Sequence, residues 1–229
     1  MTGEMLRAAR HQKGWTQARA AREFGVSQGY VALLEGEERQ PSEELRLVMV
    51  RKLGLPPTAV TPVEDRSADG DRLAADLADL GYPGFAHLVR SRRVTRNPAA
   101  VLLDALQVDH LEARAVEALP WLVATFPDLD WDWLVPRAKA LDLQNRLGFV
   151  VTLARQLAER SKSPTAESLR AREAGLERSR LVREDAFGRS SMTEAERRWL
   201  QTNRPESAAR WNVLSNLTVE HLQDADRTR

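Results

Sequence analysis

Apolar residues return every three or four positions along most of this chain, and no stretch alternates convincingly with period two. Leu73, Leu77 and Leu80 step towards Gly81. Leu111, Ala115 and Leu119 make a second stripe, expected to end at Pro120. Leu143, Leu147, Val150, Ala154 and Leu157 make a third over four turns. Thr193-Glu194-Ala195-Glu196 has the form of a capping box. Mixed runs such as Arg93-Val94-Thr95 are too short to pair as strands. The chain reads as all-α.

Composition narrows the chemistry. The 229 residues include no cysteine, which excludes disulfides, thiol nucleophiles, thiolate zinc sites and iron–sulfur clusters. Basic and acidic residues number 34 and 33, so the net charge of +1 does not by itself indicate a polyanionic partner. No basic start with an apolar run, and no 18-residue apolar segment, points to a membrane; a soluble cytoplasmic protein is expected. Counted by segment, residues 1–63 carry 9 bases and 7 acids, residues 64–150 carry 10 and 14, and residues 151–229 carry 15 and 12. Prolines 56, 57 and 62 and the polar run to Gly70 interrupt the periodicity. We therefore expect a domain over 1–63, a linker over 64–72 and a second helical domain over 73–229.

The first sixty residues are densely punctuated. A helix through Leu6–Arg10 stops at Gly14, and Thr16 caps the next, whose apolar face is Ala20, Ala21 and Phe24. Gly25 suits a left-handed turn. Val26 plugs the core and Ser27 caps a third helix running through Glu35. Pro41-Ser42-Glu43-Glu44 opens a fourth, with Leu45, Val48, Met49 and Leu53 inward, ending at Gly54. Gln28 stands at the exposed start of the third helix, where backbone N–H groups favour an anion.

Residues 4–56 resemble the lambda-repressor-like (XRE) helix-turn-helix family, through Leu6-Arg7, Arg10, Gly14-Trp15-Thr16-Gln17, Ala21, Gly25-Val26-Ser27-Gln28, Tyr30-Val31, Leu34-Glu35, Arg39 and Pro41-Ser42. The resemblance implies a four- or five-helix DNA-binding domain that lays the Gln28–Leu34 helix in the major groove of double-stranded DNA. It implies phosphate contacts from Gln17 and Arg39, a base contact from Gln28, and an Arg10–Glu35 pair inside the domain. Thr16, Ser27, Gly29, Tyr30 and Leu33 complete the expected DNA face. Four departures stand out. Gly29 replaces a small polar residue and weakens the helix by about 1 kcal/mol relative to Ala. Leu33 stands where Arg or Lys is frequent; it either touches a thymine methyl or is an exposed or packing leucine. Arg19 stands where Glu is frequent, and Gly36-Glu37 brings the glycine one residue early. With so few net positive charges, modest affinity per domain and binding as a homodimer are expected.

The remainder shows no enzyme signature: its histidines are scattered, and no phosphate loop, metalloprotease helix or cofactor motif is present. Asp128-Leu129-Asp130-Trp131-Asp132 mimics a calcium loop, but Trp133 and Lys139 occupy the positions that need Gly and Glu, so a helix N-cap is the better reading and no metal is expected. Trp121, Phe126, Trp131, Trp133 and Phe149 either build a second core or include a partner surface. Trp131 and Trp133, about 200° apart on a helix, cannot face one core together. Gln144, Asn145 and Arg146 are expected on a solvent face, with Arg146 joining Trp131 and Trp133 as a partner contact. Glu173 and Glu177 among Arg170, Arg180 and Arg183 read as a solvated helix. Trp199 and Trp211 suggest terminal helices folding back. Residues 73–158 loosely resemble the C-terminal parts of helix-turn-helix antitoxins.

The leading expectation is a non-enzymatic transcriptional regulator, a dimeric repressor on its operator. The alternatives are an autoregulating antitoxin that binds its toxin through the second domain, and a small-molecule-responsive regulator.

Overall fold

The computed structural model describes residues 1–65, 67, 69–89, 96–189 and 191–222. Arg93-Val94-Thr95, and Arg66 and Ala68 of the expected linker, lie outside the described residues. The chain divides into two compact units, Met1–Val63 and Glu64–Arg229.

In the first unit, α1 (Gly3–Gln12), α2 (Gln17–Phe24), α3 (Gln28–Glu35) and α4 (Glu43–Leu53) are followed by a 3-10 turn, Pro57–Ala59. The side chains of Thr2, Thr16, Ser27 and Ser42 each accept a backbone N–H at a helix start. Gly25 and Gly54 end α2 and α4 at φ of +74° and +70°. The core is Leu6, Ala20, Phe24, Val31, Leu34 and Met49, with Val26, Leu45 and Val48 half-buried against it. Glu37 takes the left-handed conformation at φ +61°. There it follows Gly36, and its carboxylate accepts the backbone N–H of Gly3 at 2.8 Å, tying the turn after α3 to the start of α1.

In the second unit Gly70, Asp71 and Arg72, expected in the linker, form the first turn of α5 (Gly70–Asp79), capped by Asp69. Asp65 is also held, its N–H donating to Asp104 at 3.0 Å. A 3-10 stretch, Pro83–Leu88, leads on to α6 (Pro98–Gln107), α7 (Ala113–Thr125), α8 (Trp131–Ala140), α9 (Gln144–Arg160) and α10 (Thr165–Glu177). α6 buries nine of its ten residues and α9 twelve of seventeen, as helices do when neighbours cover them on several sides. α9 packs against α7, α8 and α10. Pro120 does not end α7 but sits inside it, leaving only the Val116 carbonyl, four residues back, without its helical donor. Asp130 caps α8, accepting the Trp133 N–H at 3.0 Å, which is the N-cap reading of that acidic run.

The last part alternates short elements: β1 (Asp185–Ala186), α11 (Glu194–Asn203), α12 (Glu206–Arg210), β2 (Val213–Leu214) and a 3-10 turn, Val219–His221. β1 and β2 pair in parallel, Asp185 opposite Val213. The Thr193–Glu196 capping box forms at the start of α11. Trp211 is fully buried against Gly148, while Trp199 stays 56% exposed.

Three polar residues expected in solvent are buried. Gln144 and Asn145 are buried, not solvated. Asn145 accepts the Leu181 N–H at 2.8 Å and donates to the Leu181 carbonyl at 2.9 Å, so the 181–185 segment covers this end of α9. Glu173 is only 3% exposed, because Thr152, Arg155 and Arg210 converge on its carboxylate from α9 and from the end of α12. A buried carboxylate requires such partners.

Candidate nucleic-acid interface

α2 and α3 are joined by Gly25-Val26-Ser27, with the Val26 N–H returning to the Ala21 carbonyl at 2.9 Å. Val31, Leu34 and Glu35 bury one side of α3, which leaves Gln28 and Gly29 exposed at its start and Tyr30 and Leu33 half-exposed. Leu33 thus remains open to either reading. Thr16 and Ser27 are exposed and occupied as caps, accepting from Arg19 and Tyr30. Neither α2 nor α3 carries an acidic residue in its first turn, whereas α1 has Glu4 and α4 has Glu43 and Glu44. The partial positive charge at both helix starts is therefore not offset by a local carboxylate, which suits a phosphate. Sequence reading missed this contrast, although the residue types at each cap display it.

Behind this face lies a buried ion-pair network. Arg10 Nε and Nη2 donate to the two oxygens of Glu35 at 2.6 and 3.0 Å, the pair the resemblance implies. Arg7 joins from the edge, its Nη2 on the Glu35 carbonyl. The Gln17 side-chain amide also donates to Glu35, at 3.0 Å. That bond uses one of its two N–H groups and orients the other, so Gln17 is held by α3 while remaining half-exposed. Burial alone would raise the Glu35 pKa, but hydrogen bonds from Arg10, Gln17 and Arg7 and the Arg10 charge hold it below the ordinary carboxylate range. Tyr30 is held too, its hydroxyl donating to the Gln40 carbonyl at 3.4 Å. Arg39 is exposed. Arg19 lies with its guanidinium 5.5 Å from the centre of the Trp15 ring.

Short capped helices with a three-residue turn between the second and third define the helix-turn-helix class of DNA-binding domain. Residues 3–62 match the family model of a helix-turn-helix domain, and this segment is one. No curated protein and no solved structure matches the chain. No helix among the described residues is long and apolar enough to cross a membrane.

The expected partner surface divides. Trp131 is buried, with the Arg172 guanidinium 5.5 Å from its ring centre. Trp133 is half-buried, covered on one side by Arg137 at 4.4 Å. Arg146 is withdrawn from the surface: it grips Asp185 with two bonds of 2.8 Å and donates to the Leu106 carbonyl at 2.7 Å. Its guanidinium joins α6, α9 and β1, which a periodicity argument cannot see. Trp131→Ala should destabilise the second unit by about 3–5 kcal/mol. Trp133→Ala should cost less, about 1–3 kcal/mol, because the half-buried ring packs against the core as well as under Arg137, while weakening self-association. Thermal melts with sedimentation equilibrium check both; two unfolding variants with no change of oligomeric state remove Trp133 as a contact.

Proposed function

We propose that the chain is a non-enzymatic transcriptional repressor that needs no cofactor and binds its operator as a dimer. α3 enters the major groove, Gln28 reads a base edge, and the starts of α2 and α3 with Gln17 and Arg39 meet phosphates. The observation that carries this reading is α3 itself: one side is locked into the core through Val31, Leu34 and Glu35, and Gln28 is left free at its N-terminal end. The low charge of residues 1–63 gives each copy few phosphate contacts, so two copies supply the affinity. Dimerisation belongs to the second unit in this scheme, with Trp133 as its proposed anchor.

Gln28→Ala is expected to cost about 1–3 kcal/mol on the operator and to relax preference at one position of each half-site. Arg39→Ala is expected to weaken operator and scrambled DNA alike and to reduce the salt slope by about 1. Titrations of both duplexes by fluorescence anisotropy separate the two. Equal losses on both duplexes for Gln28→Ala would show it to be a positioning residue. A second reading, a repressor answering a small molecule, is favoured by one observation: a cavity of about 750 Å³ in the second unit.

A further inference from the structure

That cavity opens between α7, Phe187–Arg189, Met192, α11 and the chain after β2. α11 buries none of its ten residues, although its capping box is complete. It stands at the cavity edge, with Trp199 half-exposed and Leu200 beside it. Val116, Phe187, Leu214 and Leu217 supply the apolar lining. The volume falls in the range of small-molecule sites.

Four side chains of the lining can donate a hydrogen bond into the cavity. The Thr218 N–H points at His221 Nδ1 at 3.1 Å, which makes Nδ1 the acceptor and places the ring proton on Nε2. Ser215 Oγ accepts the Leu217 N–H at 3.1 Å and keeps its hydroxyl proton to donate. Asn216 adds an exposed amide and Arg189 an exposed guanidinium. Two carboxylates share the lining: Glu196 accepts the N–H and hydroxyl of Thr193 at 2.8 and 2.9 Å and also feels the charge of Arg189, and Glu117 has an interaction of its own.

We propose that this cavity binds an amphipathic organic anion, an aryl or acyl carboxylate, with its apolar body on Trp199, Phe187 and Val116 and its carboxylate at Arg189 and His221 Nε2–H. A guanidinium matches a carboxylate with two parallel bonds, and an exposed indole offers a flat apolar face. The proposal deepens the small-molecule reading but is tested apart from it. A carboxylate that binds without changing operator affinity upholds the site and removes the regulation.

The test is calorimetric titration of the full chain with matched probes: octanoate and phenylacetate, their neutral amides, and phenethylamine. The carboxylates should bind about tenfold or more tightly than the amides, the worth of a charge-assisted bond. Arg189→Gln should abolish that margin and leave amide binding unchanged, while Trp199→Ala should weaken carboxylate and amide together. Both side chains are exposed, and circular dichroism checks that the variants keep the fold. Equal binding of acid and amide to the unmodified chain overturns the proposal without any variant. So do tighter binding of the amine, no binding of any probe at millimolar concentration, and an Arg189→Gln protein that still prefers the acid.

Discussion

Glu35→Ala is expected to destabilise residues 1–63 by about 3–5 kcal/mol, the cost of leaving a buried charge without its partner. The Glu35 and Arg10 side chains are 1% and 7% exposed, so the Arg10 guanidinium would lose both carboxylate bonds with little water to replace them. Gln17 would lose its acceptor as well. A unit of this length has a total stability on the order of 3–9 kcal/mol, so the variant should be largely unfolded in this region at physiological temperature. Glu35→Gln, which keeps an acceptor, should cost less. The same pair sets an acid limit. Because the folded pKa of Glu35 lies below its unfolded value, its contribution is fully present above the unfolded value, about 4.3. That contribution is lost as pH falls through the depressed folded value. Calorimetric melts of the full chain over a pH series should show the transition of this unit falling in acid for the wild type. The same dependence should be blunted in Glu35→Ala.

Trp211→Ala is expected to be equally severe for the second unit, about 3–5 kcal/mol. The indole is wholly buried against Gly148, where a methyl group would run into the ring, so the α9 backbone itself forms one wall of the slot. Its Nε1 donates to Thr152 Oγ1 at 2.7 Å, and the Thr152 hydroxyl passes the chain of bonds to Glu173 at 2.8 Å. Removing the ring opens a cavity and strips a donor from a buried hydroxyl in one step. Trp211→Phe keeps much of the volume and should cost about 1–3 kcal/mol through the lost donor. Denaturant melts followed by circular dichroism distinguish the two. A Trp211→Ala protein as stable as Trp211→Phe would show that the slot collapses freely around the missing ring.

Local signals were the legible part of this fold. Thr16, Ser27, Ser42 and Thr193 cap helices, and Gly25 and Gly54 stop them, because a cap or a left-handed turn depends only on the few residues around it. The Arg10–Glu35 pair came through the family resemblance; spacing alone could not supply it. What failed were judgements of exposure. A 3–4 stripe identifies one apolar face of α9 but is silent about a distant segment laid over the other. Asn145 meets Leu181 across 36 residues and Arg146 meets Asp185 across 39. Glu173 looked solvated for the same reason, its partner Arg210 lying 37 residues on. Pro120 misled differently. Proline disfavours a helix interior locally, yet α7 carries it where the surrounding core, through Leu119 and Trp121, outweighs the lost bond. The cavity was invisible because its lining comes from four separate stretches between Leu111 and His221.

The central claim is that α3 reads sequence and that two copies read it together. Selection from a randomised duplex pool with the full chain tests it most directly. The account predicts enrichment of an inverted repeat whose half-sites lie about one helical turn apart, roughly 10 base pairs centre to centre. It also predicts that Gln28→Ala, selected in parallel, loses preference at one position in each half. A pool that emerges without any enriched sequence, or with an identical repeat for the wild type and Gln28→Ala, would contradict it.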